Sequence, residues 1–220
     1  MFFLPVAFLV FVAFILFLPI LFLLGYFQIV TLGFEKLGIS SGVTIFLLLA
    51  ILIGSSVNIP LTKKRLIYKE ESRFFGLFRT PYIEARGIAI NLGGAIIPVL
   101  LSLYFLFLTF RAGFPLQPIL IATFLMILFS KSLARIIPGR GIALPALIPP
   151  IFSALFAFIL APDFAAPCAF IAGVLGTLIG ADVLNLNKAQ KVGGFVSIGG
   201  AGVFDGIFLI GIVSALLAGF

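Results

Sequence analysis

Residues Phe2 to Val30 contain no charged side chain, and further long apolar runs follow. A bilayer core is crossed by about 20 apolar residues in a helix, and several of these runs approach or exceed that length. A soluble chain of 220 residues could not bury them all: 63% of the residues are hydrophobic and 10% charged, against roughly half and a quarter in soluble domains. The short alternating segments of a membrane β-barrel do not occur in the sequence. The chain therefore reads as an all-α, polytopic integral membrane protein, a bundle of about seven transmembrane helices forming one integral membrane domain over 1–220.

The expected crossings are Phe2–Gln28, Val43–Leu61, Gly87–Phe110, Pro118–Ser130, Pro145–Ala161, Ala165–Ala181 and Phe195–Phe220. The first has no charged leader and exceeds a signal-peptide core in length; Pro19 is a candidate kink within it. The fourth is the weakest, and either extends towards Ile137 or re-enters the membrane without crossing it.

Charge supplies the orientation. Of the 14 basic residues, all except Lys36 and Arg111 fall in the second, fourth and sixth connections of this map. Basic connections remain in the cytoplasm. The expected location is the cell membrane, multi-pass, with the N-terminus cytoplasmic and the C-terminus outside. The net charge of +7 then follows from topology and calls for no nucleic acid. The expected partners are the lipid bilayer, anionic lipid headgroups at the cytoplasmic face and a membrane-protein substrate. The basic cytoplasmic loop 62–86, "TKKRLIYKEESRFFGLFRTPYIEAR", interleaves aromatic and basic residues. It reads as a loop lying on the membrane, or as a docking site for a partner or a headgroup.

Cys168 is the single cysteine, and histidine is absent. An intramolecular disulfide is excluded, the commonest metal ligand is missing, and no metal and no cofactor are expected.

Three glycine-containing stretches stand at the cytoplasmic ends of crossings: "GSSVNIPLTKK" from Gly54, "GIAINLGGAIIPVLL" from Gly87 and "GGFVSIGGAGVFDGIF" from Gly193. Glycine pairs suit bends and close backbone approach better than helix interiors, and Asn58 lies two residues before Pro60, where extended backbone is favoured. Irregular or strand-like backbone is expected at all three, lining a cavity rather than facing lipid. In the sixth crossing, Ala169, Gly173, Thr177 and Ala181 form one stripe of small residues and Ala172, Gly176 and Gly180 another. Such stripes let membrane helices touch backbone to backbone.

Of the seven acidic residues, Glu35, Glu70, Glu71, Glu84 and Asp163 fall in connections. Asp182 stands at the cytoplasmic end of the sixth crossing and Asp205 within the seventh. Asp205 lies in "SIGGAGVFDGIFLIG", and no lysine or arginine follows Lys191 to neutralise it. A carboxylate in hydrocarbon costs several kcal/mol unless protonated, paired or wet, and such residues are usually functional. The bland alternative is an aspartate that caps a broken helix. If Asp182 and Asp205 share one site, two chemistries are open. Two close carboxylates cannot both ionise easily, so one becomes a base and the other an acid able to activate water against a peptide carbonyl. Alternatively they bind a cation or a proton within a transporter built from broken helices. Asn58, Asn91, Asn185 and Asn187 suit either, and Gly199, Gly200 and Gly202 leave room for a substrate backbone. A non-catalytic membrane partner protein is the third reading.

The pieces "NLGGAIIP", "GADVLNL" and "GGAGVFDGIFL" resemble a family of prokaryotic polytopic membrane proteins known as domain-of-unknown-function 1614; the resemblance implies fold and location and carries no reaction. The aspartate pair is similar to that of presenilin-like and prepilin-peptidase-like intramembrane aspartyl proteases. That resemblance implies catalytic roles for Asp182 and Asp205. It also implies a place near the site for Pro145, which opens a Pro145-Ala146-Leu147 motif like the one presenilins carry.

The charge asymmetry generates a test. A reporter active only in the cytoplasm should work when inserted within 62–86 and fail when fused after Phe220. Activity of the C-terminal fusion would overturn the seven-crossing map.

Overall fold

A computed structural model describes residues 28, 31–32, 35, 37–62, 65–73, 78–137, 141–145, 148–192, 195–200 and 206–218. Apart from Gln28, the first expected crossing lies outside the described residues.

The other apolar runs form helices. In chain order they are α1 (Ser41–Ser55), α2 (Ile97–Arg111), α3 (Gln117–Leu133), α4 (Ile148–Leu160), α5 (Ala165–Thr177), the short polar α6 (Leu186–Val192) and α7 (Gly206–Ala218). Two are extended by wider π turns. Leu92–Ile96 leads into α2, and Leu178–Val183 continues α5. With these turns, two helical stretches among the described residues are long and apolar enough to cross a membrane, Leu92–Arg111 and Pro162–Lys191. Helices α1, α3 and α4 are apolar but shorter. Seven spanning helices are not seen among the described residues.

Helix α5 is the axis of the bundle, with α2, α3, α4 and α7 packed round it. Its sequence, AAPCAFIAGVLGT, is dominated by small residues, and nearly every one is buried. The two small-residue stripes serve different neighbours. A Cβ on Gly176 would meet Met126 and the Thr123 carbonyl, and one on Gly180 would meet the Ile127 backbone, both on α3. A Cβ on Gly173 would lie 3.0 Å from Ser153 Oγ on α4 and 3.1 Å from Ser214 Oγ on α7. Gly211 of α7 answers from the other side, against Val174 and Phe170. The Ser153 hydroxyl donates to the Ala169 carbonyl at 2.7 Å. Phe105 and Phe170 meet edge to face at 5.0 Å, closing α2 onto α5.

Many large apolar side chains face outward. Phe46 of α1, Phe107 and Phe110 of α2, Leu120 and Phe124 of α3, and Phe158 and Ile159 of α4 are all exposed, Phe46 to 71%. The interior pairs the small residues of α5 with a few large side chains such as Phe105, Phe170 and Met126, while this many large apolar side chains left exposed is unusual for a water-soluble bundle.

At one end of the bundle the chain turns to strands: β1 (Asn58–Pro60), β2 (Arg65–Arg73), β3 (Phe78–Asn91), β4 (Arg135–Ile137), β5 (Gly141–Ala143) and β6 (Phe195–Ile198). β3 is the spine. β1 runs antiparallel to it with Asn58 opposite Asn91, β2 antiparallel with Arg65 opposite Arg86, and β6 parallel with Ala89 opposite Ser197. Leu61 and Thr62 both donate backbone N–H groups to the Ile88 carbonyl, bulging the chain between β1 and β2. β4 and β5 form a separate hairpin.

Among the described residues the chain is mostly helical, as expected, and the paired strands go beyond the strand-like backbone expected at the glycine-containing stretches. The stretch 62–86 holds β2 and most of β3, a hairpin rather than a loop. The expected third crossing begins as strand and becomes helical only past Asn91, and the seventh begins as β6. The fourth ends at Leu133, and Ile137 lies in β4. Extended backbone does occur in all three glycine-containing stretches.

Replacing Gly176 by leucine should destabilise the bundle by on the order of 3 kcal/mol, because the new side chain would displace the α3 backbone. Gly42→Ala, at an open helical position, should be neutral or slightly stabilising. Thermal unfolding in detergent compares the two, and equal melting would contradict the packing described.

Candidate functional site

Two helix ends meet above the bundle. A Cβ on Gly93 would strike the Ile51 carbonyl and the Ser55 amide, so the end of α1 and the turn opening α2 touch backbone to backbone. At such ends the first amides and last carbonyls of each helix lack helical partners. Asn91, fully buried, serves both. Its Oδ1 accepts from the Gly94 amide at 2.7 Å, capping the helix that starts at Leu92, and its Nδ2 donates to the Ser55 carbonyl at 2.7 Å. Nδ2 also donates to Asn58 Oδ1 at 3.1 Å. Ser197 Oγ on β6 donates to that same oxygen at 2.6 Å. Asn58, Asn91 and Ser197 thus tie together the three glycine-containing stretches, which are far apart in sequence.

β6 ends in Gly199 and Gly200, with φ of 84° and 83°, backbone that favours glycine. A Cβ on Gly199 would lie 2.5 Å from the Ala95 Cβ and 2.8 Å from the Gly94 carbonyl carbon. The space beside Gly199 is therefore taken by Gly94 and Ala95.

The Gly199 amide donates to Asp182 Oδ2 at 2.7 Å. Asp182 is 8% exposed and stands in the π turn that continues α5. A π turn holds one residue more than an α turn and re-aims the side chains beyond it. Asn185 satisfies the carbonyls the turn displaces: its Nδ2 donates to the Ala181 oxygen at 3.0 Å and to the Gly180 oxygen at 3.3 Å.

The structure thus draws Asn58 and Asn91 into one cluster, and brings Asp182 to Gly199 immediately beside it. Asn185 supports the turn that carries Asp182. Pro145 is half-buried just after β5, whose hairpin lies next to β6. Asp205 and Gly202 lie outside the described residues. Asn187 is exposed on α6. Sequence reading left Ser197 and Ser55 out of the site; the Ser197 hydroxyl is visible only as one more polar residue in a glycine stretch, and Ser55 acts through its backbone carbonyl, which no side chain announces. Chemically, Asp182 offers a carboxylate with one oxygen held by an amide, beside a strand and a cluster of amides and hydroxyls. No group of three or more acidic, cysteine or histidine side chains able to hold a metal occurs among the described residues.

The family model described as "Protein of unknown function (DUF1614)" matches residues 52–217, which includes all of this site. The chain matches no curated protein and no solved structure.

Asn91→Leu would leave the Ser55 carbonyl and the Gly94 amide buried without partners, at a cost of about 1–3 kcal/mol for each group. Its melting temperature in detergent should fall well below that of Asn187→Leu on the exposed face of α6. Equal stability of the two variants would contradict the capping role.

Proposed function

The chain belongs to the domain-of-unknown-function 1614 family, and from that premise we propose that it is a multi-pass integral membrane protein that uses Asp182 and Asp205 as one acidic site, as an intramembrane aspartyl peptidase. Membrane embedding is supported by the exposed apolar side chains of α1 to α4, since an exposed apolar surface of this extent is rare on soluble monomers and suits lipid. In this reading the shorter apolar helices α1, α3 and α4 also lie in the bilayer, and the sheet sits at its cytoplasmic face.

The observation that carries the peptidase reading is the position of Asp182, buried at the end of strand β6. Among the described residues β6 is paired on one edge only, with β3; the β4–β5 hairpin lies near it without pairing. A strand edge binds extended peptides by backbone hydrogen bonds. A peptide bond laid along it would come close to Asp182. One carboxylate would take a proton from water as the oxygen attacks the carbonyl carbon. The other would give its proton to the carbonyl oxygen; the amine would then leave with a proton returned by the first, as the gem-diol collapses and gives a hydroxyl proton back to the second. Neither aspartate stands in the Gly-x-Gly-Asp context of the known intramembrane enzymes, so the reading rests on this geometry.

A second reading, a proton- or cation-coupled transporter, is favoured by the two π turns flanking the site. Interrupted helices and unwound backbone are how transporters build ion sites.

Asp182→Asn keeps an oxygen to accept from Gly199 and so should preserve the fold. In lipid, cleavage of a library of quenched transmembrane peptides should fall at least about 100-fold in Asp182→Asn and in Asp205→Asn alike, with melting unchanged. Undiminished cleavage in both variants would end the peptidase reading. Loss of proton-driven flux from vesicles in the same variants, without cleavage by the parent chain, would instead select the transporter.

A further inference from the structure

Four cations outside the site described above stand exposed at the strand end of the bundle. Lys131 is in the last turn of α3, Arg135 is in β4, and Lys188 and Lys191 lie three residues apart on α6. α6 packs against β4, and β4 follows α3 after a single residue, so these elements are neighbours. None of the four makes an ion pair with a described residue. Asp182, the acid nearest Lys188 and Lys191 in sequence, is buried and accepts from the Gly199 amide. On the same elements, and on the turn between α5 and α6, Leu128, Ile137, Val183 and Leu184 are exposed. Exposed cations and exposed aliphatic side chains thus occur together on these neighbouring elements.

We propose that this surface binds the headgroup of an anionic phospholipid, with Lys131, Arg135, Lys188 and Lys191 around the phosphate and the acyl chains against Leu128, Ile137, Val183 and Leu184. The cations supply the charge complement of a phosphodiester. The aliphatic residues beside them select a lipid over free phosphate, which would leave that apolar surface in water. Arg135 brings a planar fork suited to two phosphate oxygens, while the lysines act as point charges. The lipid would brace β4 against α6, the helix that follows the turn carrying Asp182. The inference rests on the membrane reading and is independent of which chemistry Asp182 performs.

The test is lipid retention by the full chain, reconstituted in nanodiscs of mixed phosphatidylglycerol and phosphatidylcholine, extracted, and weighed by native mass spectrometry. The parent chain should retain phosphatidylglycerol preferentially, and the preference should weaken as salt rises from about 0.05 M to about 1 M. Each basic residue near a surface contributes about fivefold. The variant Lys131→Gln, Arg135→Gln, Lys188→Gln, Lys191→Gln should therefore lose at least about tenfold of the preference, while Lys63→Gln, Lys64→Gln in the β1–β2 connection should keep it. A parent chain that retains both lipids equally would overturn the inference, as would a quadruple variant that retains phosphatidylglycerol like the parent. A chain that never enters the nanodisc would overturn the membrane reading beneath it.

Discussion

One amide side chain holds the strand end of this protein together. Asn91 fills two vacancies at once, the last carbonyl of α1 and an early amide of the helix that begins at Leu92. Ser55 and Gly94 are both buried, and each backbone group would cost about 1–3 kcal/mol if left bare. Because Asn91 also meets Asn58, and Asn58 meets Ser197, the same interaction sets the position of β6. β6 in turn delivers the Gly199 amide to Asp182. The acidic site is placed by a chain of caps and strand pairings that begins at Asn91, while the helices below supply the rigid base.

That base obeys a different rule. Helix α5 is packed against α2, α3, α4 and α7, and its glycines admit the backbone of α3 and the serine hydroxyls of α4 and α7. Where water cannot drive helices together, close packing and hydroxyl hydrogen bonds take over. Ser153 to Ala169 is one such bond across the bundle, and Ser130 approaches Thr177 at 3.4 Å in another. The small residues of α5 and the large exposed ones of α1 to α4 are two sides of one requirement.

Much of this is legible in the sequence because it is periodic. A four-residue repeat of glycine and alanine is visible in the sixth apolar run, and the helices that meet it are the ones the structure places there. The glycine stretches could be marked as irregular because Gly-Gly pairs and Asn58-Ile59-Pro60 disfavour helix. The sheet was not legible. β3 passes from a charged stretch into "GIAIN", which reads equally as the start of an apolar helix, and strand pairing joins residues as distant as Ala89 and Ser197, a relation local pattern cannot encode. Asn91 could be singled out as polar, but its capping role depends on the carbonyl of Ser55, 36 positions away. Asp182 drew attention as an acid near hydrocarbon; that its partner would be the Gly199 amide follows from the π turn, which has no sequence signature.

The central claim is that Asp182 and Asp205 form a single site at the end of β6. Its most direct measurement is the separation of the two carboxylates in an experimental structure of the full chain in lipid. The account predicts a separation within about 6 Å, where two carboxylates titrate as a pair, around a cleft open to the cytoplasm. Carboxylates more than about 10 Å apart, beyond a Debye length at moderate salt, would contradict it and leave Asp182 as a cap on Gly199.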